Sequence, residues 1–207
     1  MILEILPVGA LQANCSVVGD EASKEALVAD PGGDMKRIQA TVERHGLRVT
    51  TIVLTHAHLD HVGAAMELKR ATGARLLMSP NDLRLLEALP EQAQWLGMRD
   101  PGEMVLDGEL KADDVLKVGT MEAKIMATPG HTEGSVCLYF AKEKLLIAGD
   151  LLFAGSIGRT DLPGGSTEKI LHSLAEVAKL PDDVNVVTGH GPATTIGEEK
   201  RGNPYLR

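Results

Sequence analysis

The chain has 207 residues, a length that suits one layered domain spanning residues 1–207, and a chain of this size buries roughly 70% of its unfolded surface without needing metal or disulfide staples. Apolar residues make up 43% but aromatics only 2%, so the core must be aliphatic. A net charge of −8 with so few aromatics argues against nucleic acid as a partner, because strand-binding grooves are basic and stack bases on rings.

The N-terminus, MILEILPVGA, carries Glu4 and Pro7 and lacks a basic segment followed by a long apolar run. No other stretch approaches the length needed to span a bilayer, so the expectation is a soluble, cytoplasmic protein without a membrane partner. Cys15 and Cys137 each sit in apolar runs and read as small buried hydrophobes rather than a disulfide. Nothing in the sequence sets an oligomeric state.

Short strands are predicted at Leu3 to Leu6, Cys15 to Val18 and Ala26 to Ala29, separated by Gly, Asn and Asp turns, which reads as a β-meander. Apolar residues at 35, 38 and 42 predict a helix from Met35 to His45, closed by Gly46. The β-branched run Thr51 to Leu54 is a strand that stops at Thr55. Helices follow at Val62 to Ala71, Asn81 to Leu89 and Thr167 to Leu180, the last capped by Ser166 or Thr167. Further strands are expected at Arg75 to Met78, Glu122 to Ala127, Ser135 to Phe140, Lys144 to Ala148 and Asn185 to Val187. The polar region Glu91 to Asp114 shows no clear period and reads as a surface excursion able to act as a lid. Strands and helices mix throughout, with no repeat or linker, so helices covering sheet faces are expected.

The chemistry concentrates at strand ends, where loops usually carry sites. Thr55-His56-Ala57-His58-Leu59-Asp60-His61 packs four metal-competent side chains into one turn, and that turn could aim residues 56 and 58 one way and 60 and 61 another. His131, Asp150 and His190 each follow a predicted strand in the turns TPGH, AGD and TGHG. Five of the seven histidines fall in such turns, while His45 and His172 lie on helical patterns and read as surface or packing residues. A lone Gly-His turn is usually just a loop, but three histidines and an aspartate in one run have little use in a core.

The ordered motifs THAHLDH, TPGHT, AGD and GHGP together resemble those of the metallo-β-lactamase superfamily, over nearly the whole chain. The resemblance implies an α/β fold, a four-layer αβ/βα sandwich with the site at the sheet edge. It implies two divalent metal ions, zinc first with iron or manganese as substitutes. One would lie on His56, His58 and His131 and the other on Asp60, His61 and His190, with Asp150 bridging them. Asp60 would also orient the attacking water. An aspartate at 150, where the best-known β-lactamases carry cysteine, points to the glyoxalase-II-like hydrolases. Asp30, in VADPGG, matches an early aspartate that orients the ligand turn, or else simply opens a turn before Pro-Gly. The text Gly158-Arg159-Thr160-Asp161 resembles the short bacterial glyoxalase-II-like type and also the persulfide dioxygenases. Arg159 is thus either a substrate anchor or the partner of Asp161.

The function so implied is hydrolysis of a small-molecule thioester, S-lactoylglutathione or a similar acyl-thioester, by a metal-bridging hydroxide. A thiolate with a conjugate-acid pKa near 8.5 leaves without a strong general acid. Full-length glyoxalase II takes much of its glutathione site from a C-terminal helical domain, whereas this chain ends soon after His190, so a smaller or different thioester is kept as an alternative substrate. The main alternative is a mononuclear Fe(II) persulfide dioxygenase on His56, His131 and Asp150, since two histidines and a carboxylate form the facial triad of non-haem iron oxygenases. A non-catalytic metal-binding or RNA-processing module is the third reading, disfavoured by the lack of a basic surface.

Overall fold

A computed structural model describes residues 1–206. The first sheet holds β1 (Ile2–Val8), β2 (Ala13–Gly19), β3 (Glu25–Ala29), β4 (Arg48–Leu54), β5 (Arg75–Met78) and β6 (Gly108–Glu109), in that spatial order. The pairs β1·β2 and β2·β3 are antiparallel, which is the expected meander, and the sheet turns parallel from β3 onward. Parallel strands need crossovers, and helices supply them: α1 (Met35–Arg44) joins β3 to β4, while α2 (Leu59–Val62) and α3 (Ala65–Thr72) join β4 to β5. Next come a 3-10 turn at Pro80–Asp82, then α4 (Leu83–Glu87) and α5 (Leu89–Leu96).

The second sheet contains β7 (Val115–Val118), β8 (Met121–Ala127), β9 (Val136–Phe140), β10 (Leu145–Gly149), β13 (Asn185–Thr188) and β14 (Thr194–Thr195), ordered β14-β13-β10-β9-β8-β7. A small hairpin of β11 (Leu152–Phe153) and β12 (Ser156–Ile157) follows β10. Helix α6 (Thr167–Val177) crosses from that hairpin to β13, and α7 (Ile196–Gly202) follows β14. Ser166 caps α6 as expected, its hydroxyl accepting from the Lys169 amide.

Side-chain alternation sorts the core into three slabs. On β3, Ala26 and Val28 face α1, whereas Leu27 and Ala29 face the second sheet; on β4, Ile52 and Leu54 part from Val53 in the same way. On the second sheet, Ile125, Leu138, Phe140 and Ile147 meet those inward residues, while Cys137, Leu146, Ala148 and Val186 turn out to α6 and its Ile170, Leu174 and Val177. Helices, sheet, sheet and helices therefore stack as four layers, the expected α/β sandwich. Each fully buried Leu or Ile contributes about 2 kcal/mol, so an aliphatic core of this extent sustains the fold. Cys15 and Cys137 are free, buried and on the outer faces of opposite sheets.

Three expectations need correction. The helix expected at Val62 to Ala71 is split, because Gly63 packs so closely on the Gly32 carbonyl that a Cβ there would lie 2.5 Å from it, and Ala64 donates instead to Pro31 O at 2.8 Å. The helix expected at Asn81 to Leu89 begins as the 3-10 turn and breaks at Ala88, since Pro90 in the first turn of α5 starts a new helix. Residues 91–96 are not excursion but helix: Leu89 and Ala93 are buried, and Gly97 ends the turn in the left-handed conformation, with φ of 63°. Helix α5 is also fastened to the His turn. The Gln92 side-chain oxygen accepts from the Leu59 amide at 2.9 Å, and its nitrogen donates to Ala57 O and Leu85 O. It is a wall, not a lid.

Candidate metal centre

The two sheets meet where β4, β10 and β13 end. The Val136 amide donates to Thr55 O at 2.9 Å, and the Asn14 amide donates to Gly189 O at 2.7 Å, so the ligand-bearing turns of both sheets are tied together by backbone. Buried Asn14 adds side-chain bonds to Thr188 O and Gly191 O, both at 2.9 Å, and so fixes the turn that carries His190.

All seven candidate ligands come together. Ring nitrogens of His56, His58 and His131 lie within 4.8 Å of one another, and ligand atoms of Asp60, His61 and His190 form a second such trio. Asp150 stands between the trios: its Oδ1 is 3.4 Å from His61 Nε2, and its Oδ2 is 3.5 Å from His131 Nε2 and 3.8 Å from His190 Nε2. A third trio, Asp30, His56 and His61, also lies within 4.8 Å. There Asp30 works from behind the rings, its Oδ2 accepting from Thr55 Oγ1 at 2.6 Å and from His61 Nδ1 at 3.0 Å.

The hydrogen bonds fix which nitrogen of each ring faces the centre. His131 Nδ1 donates to Arg159 O at 2.8 Å, His190 Nδ1 to Leu11 O at 3.1 Å and His61 Nδ1 to Asp30. Thr55 Oγ1 spends its proton on Asp30, so at 3.0 Å it accepts from His56 Nδ1. Four rings are thus pinned at Nδ1, leaving Nε2 as the inward, lone-pair-bearing atom. Inside, His58 Nδ1 faces His131 Nε2 at 2.9 Å, and His61 Nε2 faces His190 Nε2 at 3.3 Å. His56 Nε2 and Asp150 Oδ1 are buried without any hydrogen-bond partner. Converging lone pairs and orphaned buried acceptors are what a cation resolves, and the imidazole-carboxylate donor set suits divalent zinc, iron or manganese.

The electrostatics agree. Burial drives His56 well below its usual range and His58 down to about 3, each aided by neighbouring rings. Burial acts against a charged His61 as well, but the Asp150, Asp30 and Asp60 carboxylates outweigh it and draw that ring up to about 10. The Asp60 hydrogen bond raises His190. Burial opposes ionisation of Asp60, yet His190 and His61 bring it down to about 2. The carboxylates call for positive charge on their side of the cluster, carried by a proton or by a metal.

Arg159 lines the cavity over this cluster, but its guanidinium pairs with both Asp161 oxygens at 2.7 Å. Asp82 escaped the sequence reading. Buried in the 3-10 turn, it accepts from Gly134 N at 2.6 Å, Thr132 Oγ1 at 2.8 Å and Ala57 N at 3.0 Å, clamping the His56–His58 turn to the His131 turn. Burial raises its pKa against those bonds. In sequence it is one acid at the head of a helix; only its partners mark it.

Glycine is required where backbone meets ligand. A Cβ on Gly189 would sit 1.9 Å from Asp150 Oδ1. Gly189→Ala is expected to displace that carboxylate, at a cost of about 1–3 kcal/mol in stability and at least about tenfold in metal affinity, checked by urea denaturation and chelator competition.

The chain is similar throughout its length to known proteins. It is 41% identical over 209 residues to "Hydroxyacylglutathione hydrolase GloC" of Haemophilus influenzae, covering 100% of this chain and 98% of that protein. Among solved structures, the BLEG-1 B3 metallo-beta-lactamase superposes with a TM-score of 0.92 at 36% identity, covering 99% of both chains. TTHA1623 in a di-iron-bound form gives 0.88 at 35%, covering 98% of this chain and 100% of that one. With the metallo-beta-lactamase superfamily pattern also matching residues 8–190, this chain belongs to that superfamily, whose enzymes are hydrolytic and bind divalent metals.

Proposed function

We propose that the protein is a dinuclear metal-dependent thioester hydrolase. The observation that carries this reading is the pair of ligand trios joined by Asp150. His56, His58 and His131 would hold one divalent ion, Asp60, His61 and His190 the other, and Asp150 would serve both. When bound, such a pair lowers the pKa of water from 15.7 to about 7 and polarises an acyl oxygen.

The chain's own residues supply orientation and exclusion. Asp60, ionised across the working pH range, presents a fixed acceptor that can orient a water beside the cluster. Asp30, Thr55 and the carbonyls of Leu11 and Arg159 hold the rings in the tautomer that keeps Nε2 inward. A cavity of about 950 Å³ opens onto His58, His131 and His190, walled by Leu11, Leu85 and Leu96. It accommodates a substrate larger than its reacting carbonyl and shields that carbonyl from bulk water. A thiolate leaving group would need no strong general acid from the cavity wall. The similarity to a hydroxyacylglutathione hydrolase over the full chain supports a thioester, with S-lactoylglutathione as the first substrate to test.

The test is an aerobic assay of protein with counted metals, offered S-lactoylglutathione, glutathione persulfide and a β-lactam side by side. Thioester hydrolysis with about two metals per chain is expected. Oxygen uptake on the persulfide with one iron per chain would replace this reading with the Fe(II) dioxygenase on His56, His131 and Asp150. β-Lactam turnover alone would move the substrate class.

A further inference from the structure

Two arginines line the cavity above the ligand cluster, in opposite circumstances. Arg159 is engaged by both oxygens of Asp161. Arg84, on α4, has no hydrogen-bond or ion-pair partner for its guanidinium among the described residues. The cavity's acids do not answer it: Asp60 and Asp150 face the histidines, Asp82 holds its three donors, and Glu133 takes Lys169 at 2.6 Å and 2.7 Å. Glu91 stands on the next helix, α5, and makes no ion pair with Arg84.

We infer that Arg84, not Arg159, is the specificity-determining residue that holds a carboxylate of the substrate. A guanidinium presents a planar fork of donors matched to a carboxylate, and Arg84, lining the cavity without a partner, has that fork free. The chain carries a net charge of −8, so an uncompensated cation lining the cavity gives the anionic end of a substrate a favoured place to bind. Arg84 stands on α4, outside the turns that carry the histidine cluster, and makes no hydrogen bond or ion pair with that cluster, so the group it holds is distinct from the reacting carbonyl. The substrate class is a thioester with a carboxylate remote from its acyl carbon. The inference rests on the hydrolase reading only for what happens to the substrate, not for how it is held.

The experiment measures binding without turnover. S-Methylglutathione, a thioether that cannot be hydrolysed, and its dimethyl ester are titrated calorimetrically into metal-loaded protein. The acid is expected to bind about tenfold more tightly than the ester. Arg84→Ala should erase that difference without shifting the melting temperature, Arg84→Lys should keep part of it, and added salt should weaken it wherever a cation remains at position 84. Arg159→Ala should keep it whole. A wild type that does not distinguish acid from ester, or an Arg84→Ala variant that still does, overturns the inference. Preserved discrimination without thioester hydrolysis would instead retire only the hydrolase reading.

Discussion

Replacing Asp150 by alanine is expected to lower turnover by more than about 100-fold and to reduce bound metal from about two ions per chain to one or none. Asp150 approaches histidines of both trios from the open side of the cluster, with contacts of 3.4 Å to His61 and 3.5 Å to His131. Its buried Oδ1 has no hydrogen-bond partner, so its removal leaves no donor without its acceptor. The three core slabs do not include it, and the variant should keep the wild-type circular dichroism spectrum. Asp150→Asn separates charge from shape: it fits the same space but brings a neutral amide, and should fail nearly as badly. Metal analysis beside kcat decides the matter, and two tightly bound metals with wild-type turnover in either variant would sink the dinuclear assignment.

Asp82→Ala should produce the largest loss of stability among the polar residues near the site. It strips the acceptor from the buried amides of Ala57 and Gly134, at about 1–3 kcal/mol each, while Thr132 Oγ1 keeps Ser135 as a partner at 2.7 Å. Burial disfavours the Asp82 charge, and relief of that cost returns part of the loss, leaving about 3 kcal/mol. Against a typical stability of 5–15 kcal/mol that is a large shift, visible as a lower urea midpoint at unchanged slope. The same substitution unties the two turns that carry His56, His58 and His131. Metal affinity should therefore fall at least about tenfold under conditions where the variant is folded. An unchanged midpoint would show that the clamp carries no weight.

The clustered side chains were legible because of where histidine occurs. A ring that must offer a lone pair at a strand end leaves no periodic pattern behind, so His56, His58, His61, His131 and His190 stood out against apolar strands. Strand positions were equally plain wherever a run is covered on both faces, as Thr51 to Leu54 is. What stayed hidden depends on partners rather than type. Asn14 and Asp82 are ordinary turn residues until the amides and carbonyls they satisfy are known. Helix α5 was missed because exposed Trp95 blurs the spacing of Leu89, Ala93 and Leu96, and because Pro90 reads as a breaker when it is in fact a start. The two-residue strands β6, β11, β12 and β14 exist through pairing alone. For Arg159 the sequence offered two readings, and the structure shows the pair with Asp161.

On the proposed thioesterase reading turnover releases a small thiol, and the disulfide form of such a thiol exchanges with accessible protein thiolates. Exchange needs a thiolate within reach of solvent, and here neither requirement is met. Burial pushes Cys137 up to about 12, though Thr128 opposes it, and raises Cys15 as well, with Asp30 adding to the shift. Standing on opposite outer faces, the two cannot reach each other to cross-link. The folded protein should thus resist such exchange, and alkylation of either sulfur by iodoacetamide becomes a clock for the opening of the helix layer that covers it.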